Sequence, residues 1–534
     1  METSSPKLSL RDPRLVRELT PRVLLTLLVM FAPLLVAVLL TALRGQNIFR
    51  AVPLWNDERW WYAQYAAISR FGRPLGYFGY AGTHARVGTW GPWGMYPLLL
   101  TGLFARVFGW GLHAHVYYNF FFLALAGLIF VLLTKPSLPA LWKLAAANAA
   151  AYTAICYAPV CMNETVRYAM ALVLTGLMYR IITVPEVSRI RMILRCTLVP
   201  LLLLYATAFY LILGAFLPVY LYFMLRRLKP WQRLIIALPV SAAAIKLLRR
   251  LNAVTCCPYI TGDSSFSLPA DTLRLKLMNA YYSILGNAKN IDPFYLLSRA
   301  GDGDADPVLL WFCVLLYLTM GLLIWRLLRS PRDPELRTEH NLELTALYLT
   351  AAFWAGHIVM YNTTDWTFMR GCFTALYCAV MLCALLPRRE GQPWLGAMVV
   401  CVLGVVTFAG IFTSEFTPAA RFTTPLQDEA YAARRQALEQ VIVLDKTAQD
   451  PWDNTVTTCG IDETFYYSLP WGVGVNGAVE DVINENARYV AVGMNYGDPE
   501  ARAGDIEKLR QSGHEIVYED DALTILKNSA RDQD

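Results

Sequence analysis

Two adjacent carboxylates, Asp57 and Glu58, stand among four aromatic rings in the stretch Pro53-Leu54-Trp55-Asn56-Asp57-Glu58-Arg59-Trp60-Trp61-Tyr62, just past the first long apolar run. An ionised acid beside hydrocarbon is costly, so acids at such a place are read first as functional. A carboxylate there can take the proton of an attacking hydroxyl, and a nearby cation can hold an anion that departs. Glu164 supplies a second acid from a distant part of the chain. Cations for a departing phosphate are Arg86, Lys246, Arg249, Arg250 and Arg370. Arginine forks a phosphate better than lysine does, which favours the arginines over Lys246. The rings of Trp55, Trp61, Trp90 and Tyr96 offer flat apolar faces on which a sugar stacks. His84, His113 and His115 could join Glu58 around a divalent metal ion, although no zinc-like spacing links them. His357, Tyr361 and Asp365 form a weaker group near Arg370.

These side chains act together only if the chain brings them to one place, and charge patterning sets that. The chain has 534 residues, 56% hydrophobic and 16% charged, against roughly 25% charged in a soluble domain. That composition describes an all-α polytopic membrane protein. The net charge of +6 is no nucleic-acid signature. Its Lys and Arg residues fall in short clusters between apolar runs, the pattern that orients a chain in a bilayer. Lys7, Arg11, Arg14, Arg17 and Arg22 put the leader, residues 1–22, in the cytoplasm. Residues 23–43 are too long a run for a signal-peptide core and lack a cleavage site, so they form an uncleaved first span.

An external loop, 44–112, follows. It holds an amphipathic helix over 57–71, lying on the membrane with Trp61, Tyr65 and Ile68 on one face, and then a stretch with many glycines. A second juxtamembrane helix, 96–108, is shorter than the ~17 residues a span needs. Counting it as a span would put Glu164 inside and the cluster Arg180, Arg189, Arg191 and Arg195 outside, against the charge rule. Further spans are expected at 113–133, 141–159, 166–182 and 234–248, with a hairpin of two short helices in 196–225 bent near Gly214 and Pro218. A second external loop, 251–307, precedes spans at 308–328, 342–361, 367–386 and 395–412. The sum is about eleven transmembrane helices in a membrane domain of residues 23–416.

Beyond it the composition turns soluble. A helix at 428–446, strands at 455–459 and 488–492, a helix at 499–512, and strands at 515–518 and 523–526 predict a small extracytoplasmic α/β domain over 425–534. Most of the 11 cysteines lie in apolar runs, and the adjacent Cys256-Cys257 is a poor candidate for a mutual disulfide.

The order of a basic leader, one span, an Asp-Glu loop, the stretch Gly91-Pro92-Trp93-Gly94-Met95-Tyr96-Pro97 and a later acid motif from Pro159 to Glu164 resembles the GT-C superfamily of polyprenyl-phosphate-dependent membrane glycosyltransferases. Protein O-mannosyltransferases and the lipid A aminoarabinose transferase are relatives of that kind. The resemblance covers about the first 250 residues. It implies that Asp57 is the base and that Glu164, where the family usually has Asp, positions the acceptor or a metal. It implies a polyprenyl-phosphate sugar as donor and a lipid-linked or polymeric glycan, or a protein, as acceptor. The location implied is the inner membrane, with the N-terminus inside and the C-terminal domain outside.

Each assignment has a plainer competitor. Asp57 and Glu58 as a helix N-terminal charge pair, Glu164 with Arg167 as an i,i+3 ion pair, Arg249 and Arg250 on lipid phosphates, and the aromatic rings as a membrane belt all fit the same residues. Two other functions stay open: a polysaccharide polymerase or ligase using polyprenyl-diphosphate glycans, and a transporter. The surface position of the acids and the lack of an internal repeat argue against transport.

Overall fold

In a computed structural model of the chain, the described residues are 13–54, 56–74, 77–78, 86–87, 94–253, scattered positions between 274 and 298, 307–329, 336–360, 365–387, 395–413, 419–443, 456–460, 474–476, 479–484, 487–493, 498–521 and 523–532. The expected external loop 251–307 and the Cys256-Cys257 pair fall largely outside them.

Helices dominate. They are α1 (Pro13–Leu43), α2 (Asn56–Phe71), α3 (Tyr96–Phe108), α4 (Ala114–Thr134), α5 (Leu138–Ala149), α6 (Tyr152–Tyr157), α7 (Glu164–Thr183), α8 (Arg189–Phe209), α9 (Phe216–Met224) and α10 (Pro230–Ala253). After the second loop come α11 (Pro307–Arg329), α12 (Arg337–Met360), α13 (Asp365–Leu385) and α14 (Leu395–Thr413). Among the described residues, four helical stretches are long and apolar enough to cross a membrane: Leu19–Leu43, Ala114–Thr134, Glu164–Thr183 and Arg189–Phe209. Along α1 the residues Leu24, Leu27, Phe31, Leu35 and Leu39 are exposed, while Leu25, Val29 and Ala32 are buried. A regular stripe of large exposed leucines needs hydrocarbon, not water, around it. The chain is a membrane protein.

The bundle is built around α7, which packs on α4 and reaches α13 through the Tyr168 and Tyr377 rings, whose centroids lie 4.5 Å apart. Small residues set the closest approaches, as is usual where helices have no hydrophobic drive to associate. A Cβ on Gly127 of α4 would meet the Met30 Cα of α1 at 3.0 Å, and one on Gly176 of α7 would meet Phe130 at 3.1 Å.

One expected span is more broken than its apolar run suggests. Residues 141–159 form two helices, α5 and α6, interrupted at Ala150-Ala151. Thr407 of α14 donates to the Ala150 carbonyl at 2.6 Å, so the oxygen that leaves the helical ladder keeps a partner inside the bundle. The expected hairpin within 196–225 is present: the chain turns at Tyr210 and a 3-10 segment, Leu211–Ala215, that contains Gly214, while Pro218 lies inside α9. Helix α9 then runs back along α8, with Tyr220 donating to the Arg195 carbonyl at 2.8 Å.

The C-terminal part adds α15 (Pro425–Val441), α16 (Val479–Asn484), α17 (Pro499–Gln511) and a five-stranded sheet. Its strands are β3 (Val456–Cys459), β4 (Gly474–Asn476), β5 (Tyr489–Gly493), β6 (His514–Glu519) and β7 (Leu523–Asn528), in spatial order β4-β3-β5-β7-β6. Strand β3 pairs in parallel with β4 and β5, and β5 pairs antiparallel with β7, which forms a hairpin with β6. Strands β1 (Tyr77–Phe78) and β2 (Arg86–Val87) make a small antiparallel pair in the first loop.

Candidate functional site

The site starts at the first turn of α2. Glu58 is 0% exposed and meets Arg421, itself 1% exposed, through two parallel bonds: Nη1 to Oε2 at 2.7 Å and Nη2 to Oε1 at 2.8 Å. The same carboxylate accepts the Cys161 N–H at 2.8 Å and the Leu54 N–H at 3.3 Å. A buried ion pair costs several kcal/mol in lost hydration, and it persists where the fork is bidentate and the remaining lone pairs are filled. Both conditions hold here. The bond back to Leu54 ties the chain entering α2 to its first turn.

This arrangement revises two expectations. Helix α2 does not lie on a membrane surface with one wet face, because Glu58, Arg59, Trp60, Trp61, Tyr62, Gln64, Tyr65 and Ile68 are all buried. Polar residues on its second face are enclosed by protein, which a hydropathy pattern cannot distinguish from solvation. Trp61 is 3% exposed, and its ring packs on Trp60 and Tyr65 with centroids at 4.7 and 6.0 Å. It is a core residue with no open face for a sugar.

The turn before α7 closes against α2. Tyr65 donates to Asn163 Oδ1 at 2.5 Å, and Asn163 Nδ2 donates to the Pro97 carbonyl at 2.9 Å. Helices α2, α3 and α7 therefore meet at one buried amide. Burial, then Cys161 and weaker contributions including the Glu164 charge, push the Tyr65 hydroxyl well above its ordinary pKa, so it acts as a neutral donor. Glu164 is 4% exposed and lies 3.7 Å from Arg167, whose guanidinium sits 3.6 Å over the Tyr210 ring. The expected i,i+3 pair is thus present. The structure brings the α2 start and the Glu164 turn to the same end of the bundle, joined directly by the bond from Cys161 to Glu58.

Asp57 is half-buried. It lies one residue before Glu58 and so about 100° around the helix. With Glu58 fixed inward, Asp57 is turned toward the edge of this cluster.

The cations are distributed unevenly. Arg249 and Arg250 are exposed in the last turns of α10. That helix end abuts the first loop, because a Cβ on Gly94 would fall 1.8 Å from Asn252 Oδ1. Gly94 also has φ +72, so no other residue fits there without strain. Lys246 is exposed one turn earlier. Tyr96 is partly exposed at the start of α3, and the Tyr205 hydroxyl reaches its carbonyl at 3.4 Å. Arg86 lies in β2 and Arg370 in α13, but their side chains, like those of His357 and Asp365, are outside the described part. Trp55, Trp90, His84 and Tyr361 lie outside the described residues.

The two described histidines of the expected metal group, His113 and His115, do not meet at Glu58. His113 Nδ1 faces the Ala51 carbonyl at 3.0 Å and Nε2 faces Asp428 at 3.2 Å, while His115 Nε2 faces the Pro159 carbonyl at 3.1 Å. With Glu58 taken by Arg421, these side chains point to separate partners. Among the described residues no three His, Cys, Asp or Glu side chains converge as metal ligands.

Sequence reasoning missed the segment that follows α14. Residues 50–52 pair with 421–423: the Val52 N–H donates to the Arg421 carbonyl at 2.8 Å and the Thr423 N–H to the Arg50 carbonyl at 3.1 Å. Asp428 accepts from Arg50 at 2.9 Å and from Thr423 at 2.5 Å. Along α15, Arg70 of α2 pairs with Glu439 at 3.6 Å, and Arg434 reaches Asp520 in the β6–β7 turn at 2.7 Å. Burial raises the Tyr62 pKa and Arg435 of α15 opposes it, which puts that guanidinium beside α2. Helix α15 thus ties the sheet to the same end of the bundle as Asp57. No motif announces this; the one cue is a lone Arg421 just beyond the last apolar run.

No family model matches the chain, and no curated protein matches it. Among solved structures it is similar to ArnT from Cupriavidus metallidurans bound to undecaprenyl phosphate, at 11% identity and a TM-score of 0.45, over 96% of this chain and 98% of that one. It is also similar to the Archaeoglobus fulgidus oligosaccharyltransferase tethered to an acceptor peptide, at 12% identity and a TM-score of 0.45, over 97% of this chain and 74% of that one. A third is the oligosaccharyltransferase AglB from Archaeoglobus fulgidus in complex with an inhibitory peptide and a dolichol-phosphate, at 11% identity and a TM-score of 0.43, over 97% and 75% of the two chains. At such values the likeness says nothing about chemistry, which rests on the site's own residues.

Proposed function

We propose that the protein is an inverting glycosyltransferase that moves a sugar from a polyprenyl-phosphate donor to an acceptor at the outer face of the inner membrane. The observation that carries this reading is the Glu58–Arg421 clamp, bonded to the Glu164 turn through Cys161 and turning Asp57 to the edge of that cluster. The motif resemblance to the GT-C superfamily supports the same class. Asp57 takes the proton of the acceptor hydroxyl as its oxygen attacks the anomeric carbon. The bond from that carbon to the phosphate oxygen breaks, and the phosphate leaves with the electron pair on the opposite side. Arg249 and Arg250, in the helix end that abuts the first loop, hold the departing phosphate, with Arg86 and Arg370 as further members. Glu164, held by Arg167, orients the acceptor. Glu58 is a positioning residue in this scheme. The protein crosses the membrane about eleven times, with its C-terminal sheet on the outer side.

The test is Asp57→Asn in purified protein. General-base catalysis contributes about 10²–10⁴-fold, so transfer should fall by that factor while donor binding stays unchanged. Full activity in this variant removes the base assignment.

A further inference from the structure

At the far end of α7 from Glu164, α7 and α9 finish and α8 and α10 begin. Two helix C-termini and two N-termini lie at that level, so their partial charges cancel in pairs. The side chains do not cancel. Between residues 168 and 233 the sequence carries eight basic residues and one acid, Glu186. Among the described residues neither Glu186 nor any of the eight forms an ion pair.

Three of the eight gather at the last turn of α7. Arg195 of α8 donates to the Val184 carbonyl at 2.8 Å, and Arg226 donates to the Ile181 and Ile182 carbonyls. Arg233 of α10, 9% exposed, donates to the Arg226 carbonyl at 2.5 Å and to the Leu228 carbonyl at 2.8 Å. Neutral carbonyls fix these guanidiniums in place and leave their charge standing. Arg195 also feels the charges of Arg180 and Arg191, and Arg226 those of Arg195, Arg233 and Arg337 of α12. Glu339, two residues on from Arg337, is bonded to Arg326 instead. Like charges held together and partly buried are costly until an anion joins them. Orienting the chain in a bilayer needs cations on this side, but it does not need them to converge.

The flanks of the cluster are apolar. Ile190, Ile193 and Leu194 are exposed on α8, as are Trp231, Leu234 and Ile235 on α10. Helix α8 is long and apolar enough to cross a membrane, so these side chains meet hydrocarbon directly beside the cations. An occupant that suits both surfaces presents an anion and apolar chains together. By the charge rule this is the cytoplasmic side.

We propose that Arg195, Arg226 and Arg233, ringed by the exposed Arg189, Arg191 and Arg227, bind the phosphate headgroup of an anionic phospholipid of the cytoplasmic leaflet, whose acyl chains lie along α8 and α10. The phosphate oxygens take guanidinium forks from both turns and tie α7–α8 to α9–α10. The test is native mass spectrometry of the intact, detergent-purified protein with dioleoyl phosphatidylglycerol or dioleoyl phosphatidylcholine added at equal concentration, and with glycerol phosphate as a soluble competitor. Arg226 and Arg233 hold helix ends, so the variant to use is Arg189→Gln/Arg191→Gln/Arg227→Gln, whose three side chains make no hydrogen bond among the described residues. Each basic side chain near an anionic headgroup adds about fivefold to binding. Phosphatidylglycerol should therefore bind the natural chain at least about tenfold more tightly than phosphatidylcholine, and the triple variant should lose that preference. The proposal is overturned if the two lipids bind the natural chain equally, if the triple variant keeps the preference, or if glycerol phosphate at equal concentration displaces the lipid, which would make this a site for a soluble anion. Sugar transfer plays no part in the readout, so failure here leaves the glycosyltransferase reading standing.

Discussion

Replacing Arg421 by alanine tests the core of the site. The guanidinium makes two short bonds to Glu58, at 2.7 and 2.8 Å, and a longer one to the Val52 carbonyl at 3.4 Å. Its removal leaves a carboxylate at 0% exposure facing the Cys161 and Leu54 N–H groups without the balancing charge. Breaking a buried pair on one side costs about 3–5 kcal/mol, most of it the penalty of the stranded partner. Arg421→Ala should therefore lose about that much stability and loosen the α2 start. Replacing both partners by methionine should cost less than Arg421→Ala alone, because no charge is then buried unpaired. Stability is read by titrating the purified protein with a denaturing detergent and following tryptophan fluorescence, to which Trp60 and Trp61 contribute. A loss in Arg421→Ala below about 1 kcal/mol, or a double variant as unstable as the sum of the two singles, refutes the reasoning.

Two further outcomes follow from the same geometry. Tyr65→Phe removes the donor to Asn163 and should destabilise by about 1–3 kcal/mol, the cost of an unmet buried acceptor; a neutral result in the same titration would detach α2 from the α7 turn. In the sheet, His514 is 3% exposed, with Nε2 donating to the Ala487 carbonyl at 3.0 Å, and burial lowers its pKa from 6.5. The unfolded ring takes up a proton near pH 6.5 while the folded ring stays neutral, so its contribution is present above that pH and is lost as pH falls toward the depressed folded value. Melting curves between about pH 7.5 and pH 5.5 should show this loss, and His514→Gln should flatten that part of the slope.

The legible parts of the chain were those with local signals. The α3 bounds match the short apolar run 96–108, where Pro97 opens the helix and Gly109 ends it. In the C-terminal part the expected strands and helices recur within a few residues, since β3 is a short run led by β-branched Val456, Thr457 and Thr458 and β5 a short apolar one. Strand β4 has three residues and α16 six, too few for a periodic pattern to register. What was not legible is what depends on distant partners. The Glu58–Arg421 pair joins residues 363 positions apart, and neither residue type nor spacing hints at it. The burial of Glu58, Arg59 and Gln64 defeated the surface-helix reading of α2 for the same reason: an alternating polar face looks identical whether protein or water covers it. The break at Ala150 was hidden because its carbonyl is satisfied by Thr407, from a helix far along the chain.

The central claim is that Asp57 serves sugar transfer from a lipid phosphate. The most direct measurement incubates the purified protein with a panel of polyprenyl-phosphate sugars and of polyprenyl-diphosphate glycans, with membrane extract as the source of acceptor, and follows release of the lipid carrier. The account predicts that one monophosphate donor is consumed with release of polyprenyl phosphate, and that Asp57→Asn stops it. Consumption of diphosphate-linked glycans alone, or equal turnover by the Asp57→Asn protein, would contradict it.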